Sequence, residues 1–364
     1  MNRRRGVGSP CMHYEPMSVD LDFLSSLDDG LISTDLLRRS GVDPRGIECL
    51  IGLSELVRLR RGWYVTATEW KAAGRDGRYR FMIRATNASS PKSLVAAHLS
   101  AAAMHRLPTI GNWPSELHTF DPRASGGSTS RLITTHRSGP PAETVVIDGI
   151  EVVALERTLV DVAVNECPER AVTAIDAALR RDAVRYATDL RQRGEGEARL
   201  VRPALTTDTL LCELDNVAPP FHRARAESVI RFADARAGSP GESLSRVRMR
   251  QGRFVIPDLQ VRFPDILGSY AEVDFYLEGI RKAQEFDGKV KYTRGAIVKE
   301  GDDPGEIVWL EKQREDALRR QEAVESFDRW TWDMVLPLKK FCRFLQEKGM
   351  PELRAGAAHA RSAG

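Results

Sequence analysis

The chain has 364 residues, of which 42% are hydrophobic and 29% charged. That mix is ordinary for a globular protein and excludes a mostly disordered chain, a collagen-like repeat and a disulfide scaffold. At roughly 100–200 residues per domain it allows two or three domains. The 54 basic and 51 acidic residues leave a net charge of +3, too balanced for a polybasic nucleic-acid coat, so any case for DNA rests on local patches.

Cys11, Cys49, Cys167, Cys212 and Cys342 are scattered, with no CxxC spacing. This fits free thiols in a reducing compartment, and a cytoplasmic location is the expectation. No apolar run approaches the ~20 residues that cross a bilayer, so no membrane partner is expected. Arg3–Arg5 precede no apolar stretch, unlike a secretory signal. Residues 1–17 read as a frayed extension and 349–364, rich in Ala, Gly, Arg and Ser, as a disordered tail.

Three blocks lie between these ends, with breaks near 70–90 and 190–240. Together they predict a multi-domain α/β chain of the α+β type. The first is 18–70. Leu21, Phe23, Leu24 and Leu27 form a short apolar face that Asp29-Gly30 stops. Ser33 or Thr34 caps a helix carrying Leu36 and Leu37. Asp43 caps the next, with Pro44 at its first position. Leu56–Leu59 and Trp63–Val65 read as strands around Arg60-Arg61-Gly62. Three helices followed by a basic hairpin is the order of a winged helix-turn-helix. Arg45 near the start of the third helix is placed to reach the major groove or a phosphate. Arg58, Arg60 and Arg61 on the hairpin are candidate phosphate or minor-groove contacts. The third helix is poor in Asn, Gln and Arg, which favours positioning over base readout.

The middle block, 90–190, begins with an Ala-rich helix over Ser93–Met104. Extended stretches follow at Glu116–Phe120, Leu132–His136 and Thr144–Ala154, the last with an Asp148-Gly149 turn. Helices are expected at 155–165 and 169–186. Residues 191–222 read as a linker and a helix, with Arg/Glu/Gly-rich composition through 191–204. His98, His105, His118 and His136 have no metal-ligand spacing and read as structural.

In the third block, 223–348, Gly238-Ser239-Pro240-Gly241 breaks the chain before a helix from Glu242 to Arg250. Strands are predicted at Phe254–Val261, Tyr270–Leu277 and Lys282–Asp287, a charged helix over 308–325, a strand at Trp330–Val335 and a closing helix at 337–347. Asp274 lies within one strand. Glu285 and Asp287 lie two apart at the end of the next, so their side chains share a face. Carboxylates gathered at one sheet edge repel one another unless a cation offsets them. Mg²⁺, or Mn²⁺, is the hard ion such oxygens suit. Glu242 is a candidate fourth carboxylate, and Lys289 a candidate to orient a water or stabilise developing charge. The opposing reading is a salt-bridged sheet edge involving Arg281, Lys282 or Lys289.

Ser239-Pro-Gly-Glu-Ser243, Pro257-Asp-Leu-Gln260, Val273-Asp-Phe275, Glu285-Phe-Asp-Gly288 and Glu315-Asp-Ala-Leu-Arg-Arg320 resemble the domain related to very-short-patch-repair endonucleases, of the PD-(D/E)XK superfamily. The resemblance covers about 225–345. It implies a four-stranded mixed sheet flanked by helices, a divalent metal held by Asp274 and Glu285, and bracing of the active face or phosphate contact by residues such as Arg319. The slot two residues after the second acid, lysine in many superfamily members, is Asp287 here. Gly30–Thr34 through Leu59–Val65, with Leu155–Asp161, resemble the abortive-infection type IV antitoxins. That implies DNA binding and a cognate toxin or antitoxin as protein partner. The expected function is a metal-dependent DNA endonuclease positioned by a winged helix, in phage defence or toxin–antitoxin biology. The alternative is a non-catalytic DNA-binding antitoxin or regulator with a degenerate nuclease block.

Overall fold

Side-chain caps fix where the first helices start. Asp20 accepts the Phe23 N–H to open α1 (Leu21–Ser26), and Ser33 accepts the Leu36 N–H to open α2 (Thr34–Arg39). Asp43, followed by Pro44, opens α3 (Pro44–Gly52) in the same way. The computed structural model describes residues 19–121, 127–136, 142–193, 202–217, 220–264, 270–288, 318 and 320–353. Thirteen helices, three sheets and a single 3-10 turn are present among them, an α+β architecture. The chain divides into two compact units, 1–107 with 112–161, and 108–111 with 162–364.

In the first unit, β1 (Ile32–Ser33), β2 (Leu56–Arg60) and β3 (Trp63–Thr66) form a sheet of order β1-β3-β2. Leu24, Ile32, Leu37, Val42, Ile47, Leu56 and Tyr64 make its core with α1–α3. Gly62, at φ 83°, supplies the positive φ that the two-residue Arg61-Gly62 turn needs. The break expected near 70–90 is instead helical, as α4 (Ala67–Ala72) and α5 (Gly74–Ala88). Thr66 caps α4, and Tyr79, Ile83 and Ala85 of α5 are buried.

The same unit holds a six-stranded mixed sheet of order β6-β7-β5-β4-β9-β8. Its strands are β4 (Val95–Ala96), β5 (Leu117–Phe120), β6 (Ser128–Thr129), β7 (Ile133–His136), β8 (Thr144–Ile147) and β9 (Ile150–Val153). The short, wholly buried α6 (His98–Met104) and α7 (Leu155–Asn165) complete the middle stretch. The Asp148-Gly149 turn joins β8 to β9 as expected.

This sheet gathers three histidines that their spacing did not connect. The His98 and His136 rings stack with centroids 3.7 Å apart, and a ring-nitrogen hydrogen bond of 2.9 Å joins His136 to His118. Burial, then the neighbouring rings, holds His98 well below the usual histidine range and His136 down at about 4. Arg157 opposes a charge on His98 as well, and Glu116 lies 3.7 Å from His118. The fold therefore resists protonation that the unfolded chain accepts near 6.5. The stability from this neutral stack is full above about pH 6.5 and is lost as pH falls through about 4. Thermal unfolding followed by circular dichroism should show a lower midpoint at pH 4.5 than at pH 7. His136→Phe, which keeps a ring but removes the titration, should shrink that drop. An unchanged drop would count against the stack as its source.

The second unit, which takes the last residues of α7 from Val162, continues with α8 (Pro168–Arg193), longer than the predicted 169–186, then α9 (Thr207–Val217) and α10 (Pro220–Phe232). Ser239 caps α11 (Pro240–Gln251), with Pro240 at its start. A four-stranded sheet follows: β10 (Asp258–Pro264), β11 (Tyr270–Leu277), β12 (Lys282–Asp287) and β13 (Ser326–Thr331), in that spatial order. The first two pairings are antiparallel and β12–β13 is parallel. The strands predicted at 270–277 and 282–287 stand unchanged. The first strand lies four residues later than expected at its start, because Phe254 forms only an isolated bridge with Glu352. The last lies earlier, because Trp332–Val335 turns into the short helix α12. Of the charged helix expected over 308–325, residues 308–317 and 319 lie outside the described residues, Leu318 is helical, and 320–325 are turn, bend and coil rather than helix. The closing helix is α13 (Leu338–Glu347).

Leu244 and Met249 of α11, Phe275, Phe286 and Trp330 of the sheet, and Phe341 and Leu345 of α13 form one core cluster. Phe263, Val273, Tyr276, Ala283, Leu318 and Val324 form another. Gly241 permits a close approach: a Cβ there would lie 1.9 Å from Cε1 of the buried Phe286. Gly241→Ala should cost about 1–3 kcal/mol or more as that ring is displaced. Urea denaturation checks it, and a wild-type midpoint would contradict the contact.

Candidate functional site

Four of the expected site residues come from one helix and two strands of the second unit. Glu242 projects from the first turn of α11, Asp274 from β11, and Glu285 and Asp287 from the end of β12. Pairing between β11 and β12 reaches Phe275–Gln284. Just beyond it, Asp274 Oδ2 accepts the Phe286 N–H at 2.8 Å. The carboxylate thus occupies the point where the two strands part.

Gln260 connects the helix to the sheet. Leu259 pairs with Phe275 and Val261 with Val273, which sets Gln260 across from Asp274. Its Nε2 donates to Glu242 Oε2 at 3.0 Å and reaches Asp274 Oδ1 at 3.5 Å. Its φ is 53°, a left-handed backbone that costs a non-glycine residue about 1–3 kcal/mol. An N–H₂ group between two carboxylates marks a locus of negative potential. Glu242 Oε2 also accepts the Gly238 N–H at 2.7 Å. Glu242 is 5% exposed, and burial raises its pKa against those hydrogen bonds and the nearby Arg180 charge.

Glu285 is buried and stands in register with Arg329 on β13, whose Nη2 donates to Glu285 Oε2 at 2.8 Å. Arg329 is not among the residues expected from the sequence, because composition starts its strand one residue beyond it. The partners suggested by nearness in sequence are engaged elsewhere. Arg281 pairs with Glu325, and Lys282 with the buried Asp328 at 2.7 Å. Asp287 is half-buried at the end of β12. Lys289 and Arg319 lie outside the described residues.

The donor set is carboxylate oxygen, the type that Mg²⁺ and Mn²⁺ select over softer ions. In donor chemistry it fits a hard divalent ion. Among the described residues, however, no three His, Cys, Asp or Glu side chains are grouped as a metal site. Here the partners of the carboxylates are the Gln260 amide N–H₂ and the Arg329 guanidinium.

The structure separates the four expected DNA-contact arginines of the first unit. Arg45 on α3 and Arg61 at the hairpin turn are exposed. Arg58 is exposed and paired with Glu48, its guanidinium 5.7 Å from the Tyr64 ring centre. Arg60 is half-buried and turned toward α5: its Nε donates to Thr86 Oγ1 at 2.8 Å and Nη1 to Leu59 O at 3.1 Å. The β2–β3 register shifts between Arg58 and Arg60, which re-aims the side chain.

Among the described residues, no helix is long and apolar enough to cross a membrane. Compared with known proteins, the chain matches no family model and no curated protein sequence.

Proposed function

We propose that this chain is a metal-dependent DNA endonuclease whose reaction site is the Glu242–Gln260–Asp274–Glu285 group. The observation that carries this reading is the approach of Glu242 and Asp274 to one amide, Gln260 Nε2, at the point where β11 and β12 part. Buried carboxylates brought together without function would be replaced at little cost by apolar residues. Asp274 and Glu285 are the residues to hold Mg²⁺ or Mn²⁺, which when bound would supply Lewis-acid stabilisation and lower the pKa of a water.

This chain's own groups do the remaining work. Gln260 sets the spacing of Glu242 and Asp274. Arg329 orients Glu285 and places a fixed positive charge beside the phosphate. In hydrolysis, water oxygen bonds to phosphorus and gives up a proton to solvent, the P–O bond to the leaving oxygen breaks, and that oxygen takes up a proton. Glu242 suits the proton's delivery, because burial raises its pKa. Oε1 is the atom to carry it, since Oε2 already accepts two N–H groups. In the first unit, Arg45 and Arg61 are exposed to meet DNA phosphates, and Arg58 can exchange its surface ion pair for one. Arg60 is left out of that surface. A setting in phage defence, and a toxin or antitoxin partner, rest on the resemblance in sequence.

A second reading, a DNA-binding regulator with an inactive nuclease block, is favoured by the Arg329–Glu285 pair, which neutralises the second acid. One experiment separates the two. Supercoiled plasmid is incubated with the full chain in Mg²⁺, in Mn²⁺ and in EDTA. Nicking with either ion and none in EDTA supports the endonuclease. A gel shift with no cutting at any metal concentration would favour the regulator.

A further inference from the structure

Beside Glu242 lies a cavity of about 300 Å³, unused by the reaction described above. Val184, Ala237 and Pro240 give it apolar wall, and Arg180, Arg181 and Ser239 give it polar groups. Arg180 and Arg181 are consecutive residues of α8, and both are exposed. Arg180 donates to the Arg236 carbonyl at 3.1 Å, which fixes its guanidinium near the cavity, where its charge also acts on Glu242. Gly238 lines the cavity and also donates its N–H to Glu242, so one residue links cavity and reaction site.

We propose that this cavity is a nucleotide subsite, which takes one sugar–phosphate unit of the DNA strand next to the cleaved bond. The proposal rests on the endonuclease reading and adds the position of a flanking phosphate. Two guanidinium groups offer bidentate donors to a phosphodiester. The apolar wall suits the carbon edge of deoxyribose. Such a contact carries no base information and fixes the register of the strand. It would hold the neighbouring bond against Glu242 and Asp274, where a small misplacement is costly in rate.

The test reads binding without cleavage. Anisotropy of a fluorescein-labelled 20-base-pair duplex is measured with the full chain in EDTA, across a series of NaCl concentrations. The double variant Arg180→Ala/Arg181→Ala should bind about 10-fold or more weakly at low salt. Its log–log salt slope should be shallower by about 1, the step for the one phosphate no longer neutralised. Arg180→Lys/Arg181→Lys should restore most of the slope, and circular dichroism identifies any unfolded variant. Affinity and slope equal to wild type in the alanine variant would overturn the proposal, as would no binding by the wild type. A wild type that never cuts, beside a variant with a reduced slope, would sink the nuclease and leave the subsite standing. A wild type that cuts, beside an unchanged slope, would do the reverse.

Discussion

Asp274→Ala is expected to abolish metal-dependent nicking while leaving the fold and the affinity for DNA in place. Asp274 is half-buried at the strand divergence, where truncation opens space toward solvent rather than a sealed core cavity. It removes one of the two acids assigned to the ion and the acceptor of the Phe286 N–H. An ion in such a site supplies several kcal/mol of transition-state stabilisation, so the rate should fall about 10²–10⁴-fold. Plasmid nicking time courses in Mg²⁺, with gel shifts in EDTA alongside, give both numbers. Asp274→Asn should lose a similar factor, since it keeps shape but not charge. Equal cutting by wild type and variant would remove the site from the second unit.

The largest expected stability effect belongs to Asp176→Ala. Asp176 is 1% exposed on α8 and is a hub between α8 and α11. Its carboxylate accepts from Arg246 Nη1 at 2.9 Å, Ser243 Oγ at 2.8 Å and the Asp234 N–H at 2.7 Å. Arg246 is itself buried, donates to the Phe232 carbonyl and lies 4.6 Å from the Phe232 ring centre. Removing the carboxylate strands that guanidinium without its counter-charge, which costs about 3–5 kcal/mol. Urea unfolding of the full chain should show the loss. Burial pushes the Asp176 pKa up to about 6, with Arg246 and the hydrogen bonds pulling it down. The stability added by its raised pKa is therefore full below about pH 4 and declines as pH rises through about 6. The gap between wild type and variant should accordingly be wider at pH 5 than at pH 7. A loss under about 1 kcal/mol at both would show that the pair is dispensable.

Local signals in the chain were enough for much of this architecture. Ser33, Asp43-Pro44 and Ser239-Pro240 announce helix starts because a side-chain oxygen or a preset φ acts within one turn. Tyr270–Leu277 is legible because its aromatic and β-branched content is bounded by turns, and Lys282–Asp287 because it follows the Glu278–Gly279 turn and ends at Gly288. Glu285 and Asp287 share a face by strand period alone. What stayed hidden depends on contacts distant in sequence. Gly74, Gly77 and the arginines of α5 weaken its helical pattern, and packing of Tyr79 and Ile83 decides it. Trp332–Val335 reads as strand by composition but turns helical after Thr331, which hid the register of Arg329 with Glu285. Gln260 is legible as a candidate to face the site, against an ordinary polar strand residue; its left-handed backbone is not, because nothing in Leu259–Val261 signals it. The histidine stack joins α6, β5 and β7, whose adjacency is set by the sheet order.

The most direct measurement is a calorimetric titration of Mn²⁺ into the full chain, repeated with Asp274→Ala and Glu285→Gln. The wild type should bind a whole number of ions per chain, and each variant should lose that binding at the same concentrations. A wild type that takes up no Mn²⁺, or variants that bind as tightly, would contradict a metal-dependent site at Asp274 and Glu285.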